Sequence, residues 1–350
     1  MSMLDFWKNK RILVTGHSGF KGAWLSELLL LAGAELTGYA LQPPTEPSLF
    51  SLLKLPERMR SVEGDIRDLQ HMQQVFREVQ PEFVLHMAAQ PIVRTSYEQP
   101  VYTYETNVMG TVNICECVRQ SDSVRSFLNV TTDKVYENSE LGKGFVETDF
   151  LDGYDPYSNS KSCSELVTHS YAKSFLNARE VAVSTARAGN VIGGGDFARD
   201  RIIPDCVRAA ELGEAVVLRN PDSIRPFQHV LEPLSVYLMI LERQYQNPAL
   251  AGAYNVGPDL EDCVRTGELT RLFAAHWGEG FCWEVRPDGG PHEAGFLKLD
   301  CGKLKRTFGW EARWHIDRAI QETVRWSKAW LLAADIREVT DQQIVSFFLG

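Results

Sequence analysis

Two short stretches carry the chemistry available to this chain: Thr131-Thr132-Asp133-Lys134-Val135-Tyr136 and, further along, Tyr157-Ser158-Asn159-Ser160-Lys161. Tyr157 and Lys161 are spaced to share one face of a helix. An ammonium beside the phenol lowers its pKa, so that Tyr157 can exchange a proton with an alcohol near neutral pH. Tyr154 precedes the same helix but has no Lys at that spacing. Thr132 adds a hydroxyl able to hold the same alcohol. This set suits oxidation of an alcohol. Asp133 and Lys134 supply a further acid and base, more than such an oxidation needs. The plain alternative for that pair is a surface ion pair at a strand end.

These groups must be held by the elements around them. Arg11–Thr15 reads as a buried parallel strand, short and β-branched and ending at a glycine, and Phe20–Leu31 as the helix after it. Further strands are expected at Glu35–Ala40, near Ser61–Gly64, and at Phe83–His86, Ser126–Thr131 and Val181–Ala186. Helices are expected at Leu69–Val79, Tyr104–Arg119 and Pro156–Leu176. Strands alternating with helices of this length predict an α/β fold with a Rossmann-type, doubly wound parallel sheet. After Arg187 the alternation breaks at Gly193-Gly194-Gly195 and Pro204. The chain then reads as a smaller mixed α/β C-terminal substrate lobe, with the strand Ala253–Val256 and helices Val230–Arg243 and Ile316–Ala333. The expected division is a dinucleotide-binding domain over 1–187 and a substrate lobe over 188–350, with some chain crossing back.

Gly16-His17-Ser18-Gly19-Phe20-Lys21-Gly22 joins the first strand to the first helix. Glycines there permit the tight turn and let backbone N–H groups approach a pyrophosphate at the helix N-terminus. Gly16, Ser18, Gly19, Phe20 and Gly22 are therefore the first candidates for a dinucleotide. An acid that binds the ribose 2′-hydroxyl is expected at the end of the second strand, but the sequence there is Gly38-Tyr39-Ala40-Leu41-Gln42, with neither an acid nor an Arg. NAD is favoured over NADP only as a lean. Asp65 could accept from an adenine amine with Ile66 against the ring, or Asp65 or Asp68 could cap the following helix. Ala88, Ala89 and Gln90 follow the fourth strand, where small residues let a ligand lie close to the backbone.

These motifs, in order, resemble the extended short-chain dehydrogenase/reductase family over most of the chain. The resemblance implies that Tyr157 takes the alcohol proton, Lys161 holds the nicotinamide ribose and Thr132 orients the hydroxyl. It also puts Asn107 where the family keeps a structural Asn beside the cofactor. Within the family the chain looks most like the sugar-nucleotide 4,6-dehydratases. A dehydratase must remove the C5 proton and expel the C6 hydroxyl besides oxidising C4, which gives Lys134 and Asp133 their implied roles as base and acid. Thr-Asp-Lys resembles the branch acting on CDP-glucose, whereas the dTDP-glucose enzymes carry Thr-Asp-Glu. Further likeness lies in Pro43–Phe50, in Arg225-Pro226-Phe227-Gln228-His229-Val230, and in His292-Glu293-Ala294 ahead of Leu297–Asp300. Arg187, Arg199, Arg201, Arg219 and Arg225 fall between the sheet and the lobe, and Arg suits bidentate contacts to a diphosphate. The resemblance favours Arg219 and Arg225 at the diphosphate and Asn190 near the nucleotide, with Arg199, His292 and Glu293 as further substrate candidates. The rivals are a C4 epimerase of the same fold, for which Asp133 and Lys134 are incidental, and a non-catalytic dinucleotide-binding scaffold.

A net charge of −10 over 350 residues argues against a nucleic-acid surface. No span is long and apolar enough for a membrane: Trp24–Ala34 is short and carries Glu27. Seven scattered cysteines read as reduced thiols. His229, His292 and Glu293 lack ligand spacing, so no metal is expected. The expectation is a cytoplasmic enzyme acting on a nucleotide sugar, forming a homodimer or homotetramer, as is common in the family.

Overall fold

The computed structural model describes residues 4–137, 143–286 and 297–349. Its centre is a sheet of seven parallel strands: β1 (Arg11–Thr15), β2 (Glu35–Ala40), β3 (Arg60–Glu63), β4 (Phe83–His86), β5 (Ser126–Val130), β6 (Ala182–Ala188) and, after an excursion that contains β7 (Ala215–Leu218), β8 (Ala253–Val256). The order across the sheet is β8-β6-β5-β4-β1-β2-β3. The order reverses between β1 and β4, and in such sheets the crevice at the carboxyl ends beside that reversal takes ligands.

Alternation along β1 shows how the sequence builds both layers. Ile12 and Val14 enter one core with helix α1 (Phe20–Leu31), and Leu13 enters the other with helix α2 (Leu69–Val79) and helix α3 (Gly110–Gln120). Helix α4 (Pro156–Tyr171) lies along α3 on the second face. After α5 (Ile202–Leu212), helix α6 (Leu231–Gln246) packs on β5 and β6 on the first face, so residues 231–256 return to the main sheet. A third core joins α5 and β7 to helices α7 (Thr266–Trp277) and α8 (Ile316–Leu331) through Ile203, Val216, Phe273 and Ile320. There β7 pairs in parallel with β9 (Cys282–Val285).

The expected helix Tyr104–Arg119 is helical throughout but not uniform. Pro100–Tyr104 leads into a wide π turn at Glu105–Met109 before α3 begins. The extra residue in that turn carries Asn107, which is 2 % exposed. A C-terminal helix, α9 (Ile336–Leu349), lies against α1. Glu27, which breaks the apolar run of α1, is fully buried and accepts two bonds from Arg58. No helix among the described residues is long and apolar enough to cross a membrane.

Candidate active site

The glycine loop is shaped by contacts that leave no room for side chains. A Cβ on Gly22 would sit 2.1 Å from the Gly16 carbonyl oxygen, and one on Gly16 would sit 2.7 Å from the Ala88 amide nitrogen. Gly16 also has φ 77, which suits glycine. Gly19 is the N-cap of α1 and offers no side-chain acceptor to the first-turn N–H groups. These donors face a cleft of about 990 Å³, whose walls include Gly16, Ser18, Gly19, Phe20 and Gly22. A cradle of open helix-terminal donors, with side chains absent at Gly16, Gly19 and Gly22, fits a diphosphate. Ser18 Oγ donates to the Leu41 carbonyl at 2.8 Å, tying the loop to the end of β2.

The two catalytic stretches meet on the same wall. Asp155 caps α4 by accepting from Ser158 N at 3.0 Å, and Pro156 occupies the first helical turn, which sets Tyr157 at the helix mouth. Ser162 Oγ donates to the Val135 carbonyl at 2.7 Å and so joins α4 to the turn Asp133–Val135. Deeper, Glu165 accepts from Thr131 Oγ1 at 2.5 Å, from Thr185 Oγ1 at 2.7 Å and from Arg187 Nη2 at 3.0 Å. One buried carboxylate thus locks α4 to β5 and β6, and with them the distance between the two stretches. Arg187 is consumed there, 1 % exposed, and is not a phosphate ligand.

Around the reacting centre, Thr132 Oγ1 donates to Asp133 Oδ1 at 3.0 Å, and Lys134 Nζ donates to the same oxygen at 3.2 Å. The Tyr157 phenol is hydrogen-bonded to Thr132. Asp133 is 1 % exposed, and its Oδ2 has no hydrogen-bond partner among the described residues. A buried carboxylate oxygen without a partner, in the wall of a cleft, marks a place for a ligand donor.

Burial pushes the Tyr157 phenol up to about 12; the Thr132 hydrogen bond opposes this, Asp133 adds to it and the Arg201 guanidinium opposes it. The sequence expectation that Lys161 lowers this phenol is therefore corrected. Lys161 Nζ donates to the Val130 carbonyl at 3.3 Å, and burial brings its own pKa down to about 8. Arg201 is the cation that acts on Tyr157, anchored to Asp196 at 3.0 Å.

Two further cleft residues were missed as candidates. Lys21, inside the glycine loop, donates to the Tyr237 hydroxyl at 3.0 Å, and burial followed by Arg201 and Lys161 lowers its pKa to about 7. The signal was a lysine in the turn between the first strand and the first helix. Arg94 also lines the cleft, and nothing in its sequence neighbourhood singled it out.

Most expected site residues converge on this one cleft: Asp65, Ile66, Ala88, Ala89, Gln90, Thr132, Asp133, Lys134, Tyr157, Lys161, Asn190, Arg219 and Arg225 all line it. Asp68, not Asp65, caps α2, accepting from His71 N at 3.0 Å, while Asp65 is held by Arg67 at 2.7 Å. Asn107 stands behind the wall: its Oδ1 accepts from Gln90 N at 2.8 Å and its Nδ2 donates to Ser160 Oγ at 2.9 Å. It positions the Gln90 loop against α4. Arg199 lines a separate, smaller hollow with Glu46 and Trp326. Asp200 between the two arginines has φ 60, and across that turn Arg201, not Arg199, reaches the cleft. His292 and Glu293 lie outside the described residues.

The family model for GDP-mannose 4,6 dehydratase matches residues 13–323. The CDP-glucose 4,6-dehydratase of Salmonella typhimurium is 46% identical over 348 residues, covering 96% of this chain and 97% of that relative. The dTDP-glucose 4,6-dehydratase of Xanthomonas campestris is 29% identical, over 76% of this chain and 78% of the relative. Among solved structures, the UDP-glucose 4-epimerase of Thermus thermophilus in complex with NAD superposes with a TM-score of 0.79 at 26% identity, over 91% of this chain and 99% of that one. The dTDP-glucose 4,6-dehydratase of Bacillus anthracis in complex with NAD has the same fold, with a TM-score of 0.77 at 23% identity over 91% and 96%.

Proposed function

This chain belongs to the GDP-mannose 4,6 dehydratase family, and from that premise we propose that it is an NAD-dependent hydro-lyase converting CDP-glucose to CDP-4-keto-6-deoxyglucose and water. The observation that carries the reading is the Asp133–Lys134 pair, 3.2 Å apart in the cleft and joined through Thr132 to Tyr157. An epimerase that only oxidises and re-reduces C4 has no use for this pair. The CDP-glucose relative, at 46% identity over almost the whole chain, supports the choice of nucleotide.

NAD fits the cradle of open donors at Gly19–Gly22 and, when bound, supplies the hydride acceptor and donor that the C4 and C6 changes require. The residues of this chain handle the protons. Tyr157 takes the C4 hydroxyl proton, with Thr132 holding that hydroxyl. The resulting ketone acidifies the C5 proton, which Lys134 removes in its neutral form. Asp133 protonates the departing C6 hydroxyl through its partnerless oxygen, and water leaves. Lys134 then returns the proton to C5.

The ion pair and its neutral tautomer differ by one proton moved from Lys134 Nζ to the Asp133 carboxylate. The neutral tautomer holds both the base and the acid that elimination consumes, and elimination regenerates the ionic one. The proton gained by Tyr157 balances the one lost from Asp133, and the Thr132 hydroxyl lies between them.

Arg219 and Arg225 are assigned to the diphosphate, and Asn190 to the nucleotide side. Exposed apolar side chains of Val101, Met109 and Leu166, on the α3–α4 side, support a homo-oligomer, which light scattering tests. All seven cysteines are free thiols, which suits the cytoplasm. The deciding experiment incubates the pure protein with CDP-, dTDP-, UDP- and GDP-glucose and reads products by mass. Loss of one water from CDP-glucose is expected. Unchanged mass with altered sugar configuration would move the assignment to an epimerase.

A further inference from the structure

A dinucleotide lacking a 2′-phosphate is ordinarily told from one carrying it at the end of β2, where an acid binds the ribose hydroxyl and repels the phosphate. In this chain β2 ends in Ala40, followed by Leu41 and Gln42. The neighbouring strand supplies the acid sideways. In the parallel register Ala40 is paired with Glu63, the last residue of β3, and Gly64 N donates to the Ala40 carbonyl at 2.9 Å. Gln42 Nε2 donates to Glu63 Oε2. Ala40, Leu41 and Gln42 all line the cleft, on the strand end that Ser18 ties to the glycine loop. With its amide nitrogen committed to Glu63, Gln42 presents Oε1 as its remaining acceptor.

The charges nearby have the same sense. Arg67 is held by Asp65 at 2.7 Å and Glu105 at 3.2 Å, and Arg60 pairs with Glu78. Counting Glu63, four carboxylates stand against two guanidiniums. The His17 ring is held by Ser61 at 2.7 Å, and its burial keeps it neutral at physiological pH.

We infer that Gln42 and Glu63 together replace the acid missing from β2: Gln42 Oε1 accepts from the adenosine 2′-hydroxyl, and the Glu63 carboxylate fixes Gln42 and repels a 2′-phosphate. The inference rests on the dinucleotide reading above and names the two residues that set its phosphate preference.

The test is calorimetric titration of the full chain with NAD⁺ and, separately, NADP⁺, without nucleotide sugar. The unmodified protein is expected to bind NAD⁺ more tightly. Glu63→Gln should narrow the NAD⁺/NADP⁺ affinity ratio about tenfold, chiefly by strengthening NADP⁺, and more so at low salt. Gln42→Ala should weaken NAD⁺ about five- to tenfold and leave NADP⁺ nearly unchanged. Glu63 and Gln42 are exposed, so the variants keep the fold, which circular dichroism checks. An unchanged ratio in both Glu63→Gln and Gln42→Ala, with NAD⁺ still binding, overturns this inference alone. Failure of the unmodified protein to bind either dinucleotide overturns the dinucleotide reading with it.

Discussion

If Asp133 and Lys134 act as one proton-sharing unit, removing either should cost nearly what removing both costs. Their shared contact is Asp133 Oδ1, which takes Lys134 Nζ at 3.2 Å and Thr132 Oγ1 at 3.0 Å. Lys134→Met deletes the base and leaves a buried carboxylate without its cation. Asp133→Asn deletes the acid and leaves the amine without the group that takes its proton. A positioned acid or base is worth about 10²- to 10⁴-fold in rate, or roughly 3–5 kcal/mol of barrier. Each single variant should therefore lose turnover by that amount, and the double variant should lose little more, far less than the product of the two. Oxidation at C4 uses Tyr157, so it should survive in all three. The assay is a single turnover with the nucleotide sugar, following the near-ultraviolet absorbance of reduced nicotinamide and, by mass, loss of water. The expected trace shows absorbance that rises and stays, with no water lost. In deuterated water, both Lys134→Met and Asp133→Asn should also fail to exchange the C5 proton. Multiplicative losses in the double variant would refute the shared proton, and product formation at the unmodified rate by Lys134→Met would remove Lys134 from the reaction.

The remaining predictions concern pH and stability. Arg201→Gln removes a cation that opposes the raised phenol of Tyr157, so the alkaline rise of kcat/KM should move to higher pH, read from a pH–rate profile. Glu165→Gln should lower stability by about 2–4 kcal/mol, because it strips the charge from the buried partner of Arg187; the denaturant midpoint reports it. Glu232 is buried, accepts from Arg313 N and Trp314 N, and has its carboxyl pushed by burial from 4.5 up to about 7. A raised folded-state pKa means stability that is full below about pH 4.5 and is lost as the pH rises through about 7. Glu232→Gln should therefore be more stable than the parent above pH 7, by up to about 3 kcal/mol, and equal to it near pH 4, checked by thermal melts at both ends.

What the sequence made legible and what it hid divide along locality. Phe20–Leu31, Leu69–Val79 and Phe83–His86 are read from sequence with the bounds they have in the fold. Each is an apolar run or an amphipathic helical pattern bounded by a glycine, a cap or a turn, so local signals suffice. The convergence of Thr132, Asp133, Tyr157 and Lys161 was legible for the same reason: a strand end and the next helix mouth meet at one sheet edge. The β7–β9 pairing was not, because its partners are remote in sequence and β9 is largely exposed, leaving little apolar signal. Arg199 and Arg201 are alike in composition and differ in place through the turn at Asp200.

The same division explains the two electrostatic surprises. Spacing along α4 shows that Tyr157 and Lys161 share a face, but not that the Lys161 ammonium reaches inward to the Val130 carbonyl instead of to the phenol. Nor can it show that Arg201, from a loop beyond β6, bears on that phenol. The acid sought at the end of β2 was absent from β2 and present one strand over, at Glu63, a position defined only by register. A parallel sheet brings strand ends together in rows, so a function written for one strand can be filled from its neighbour. A motif scanned along one strand then records a loss where the sheet has made a substitution.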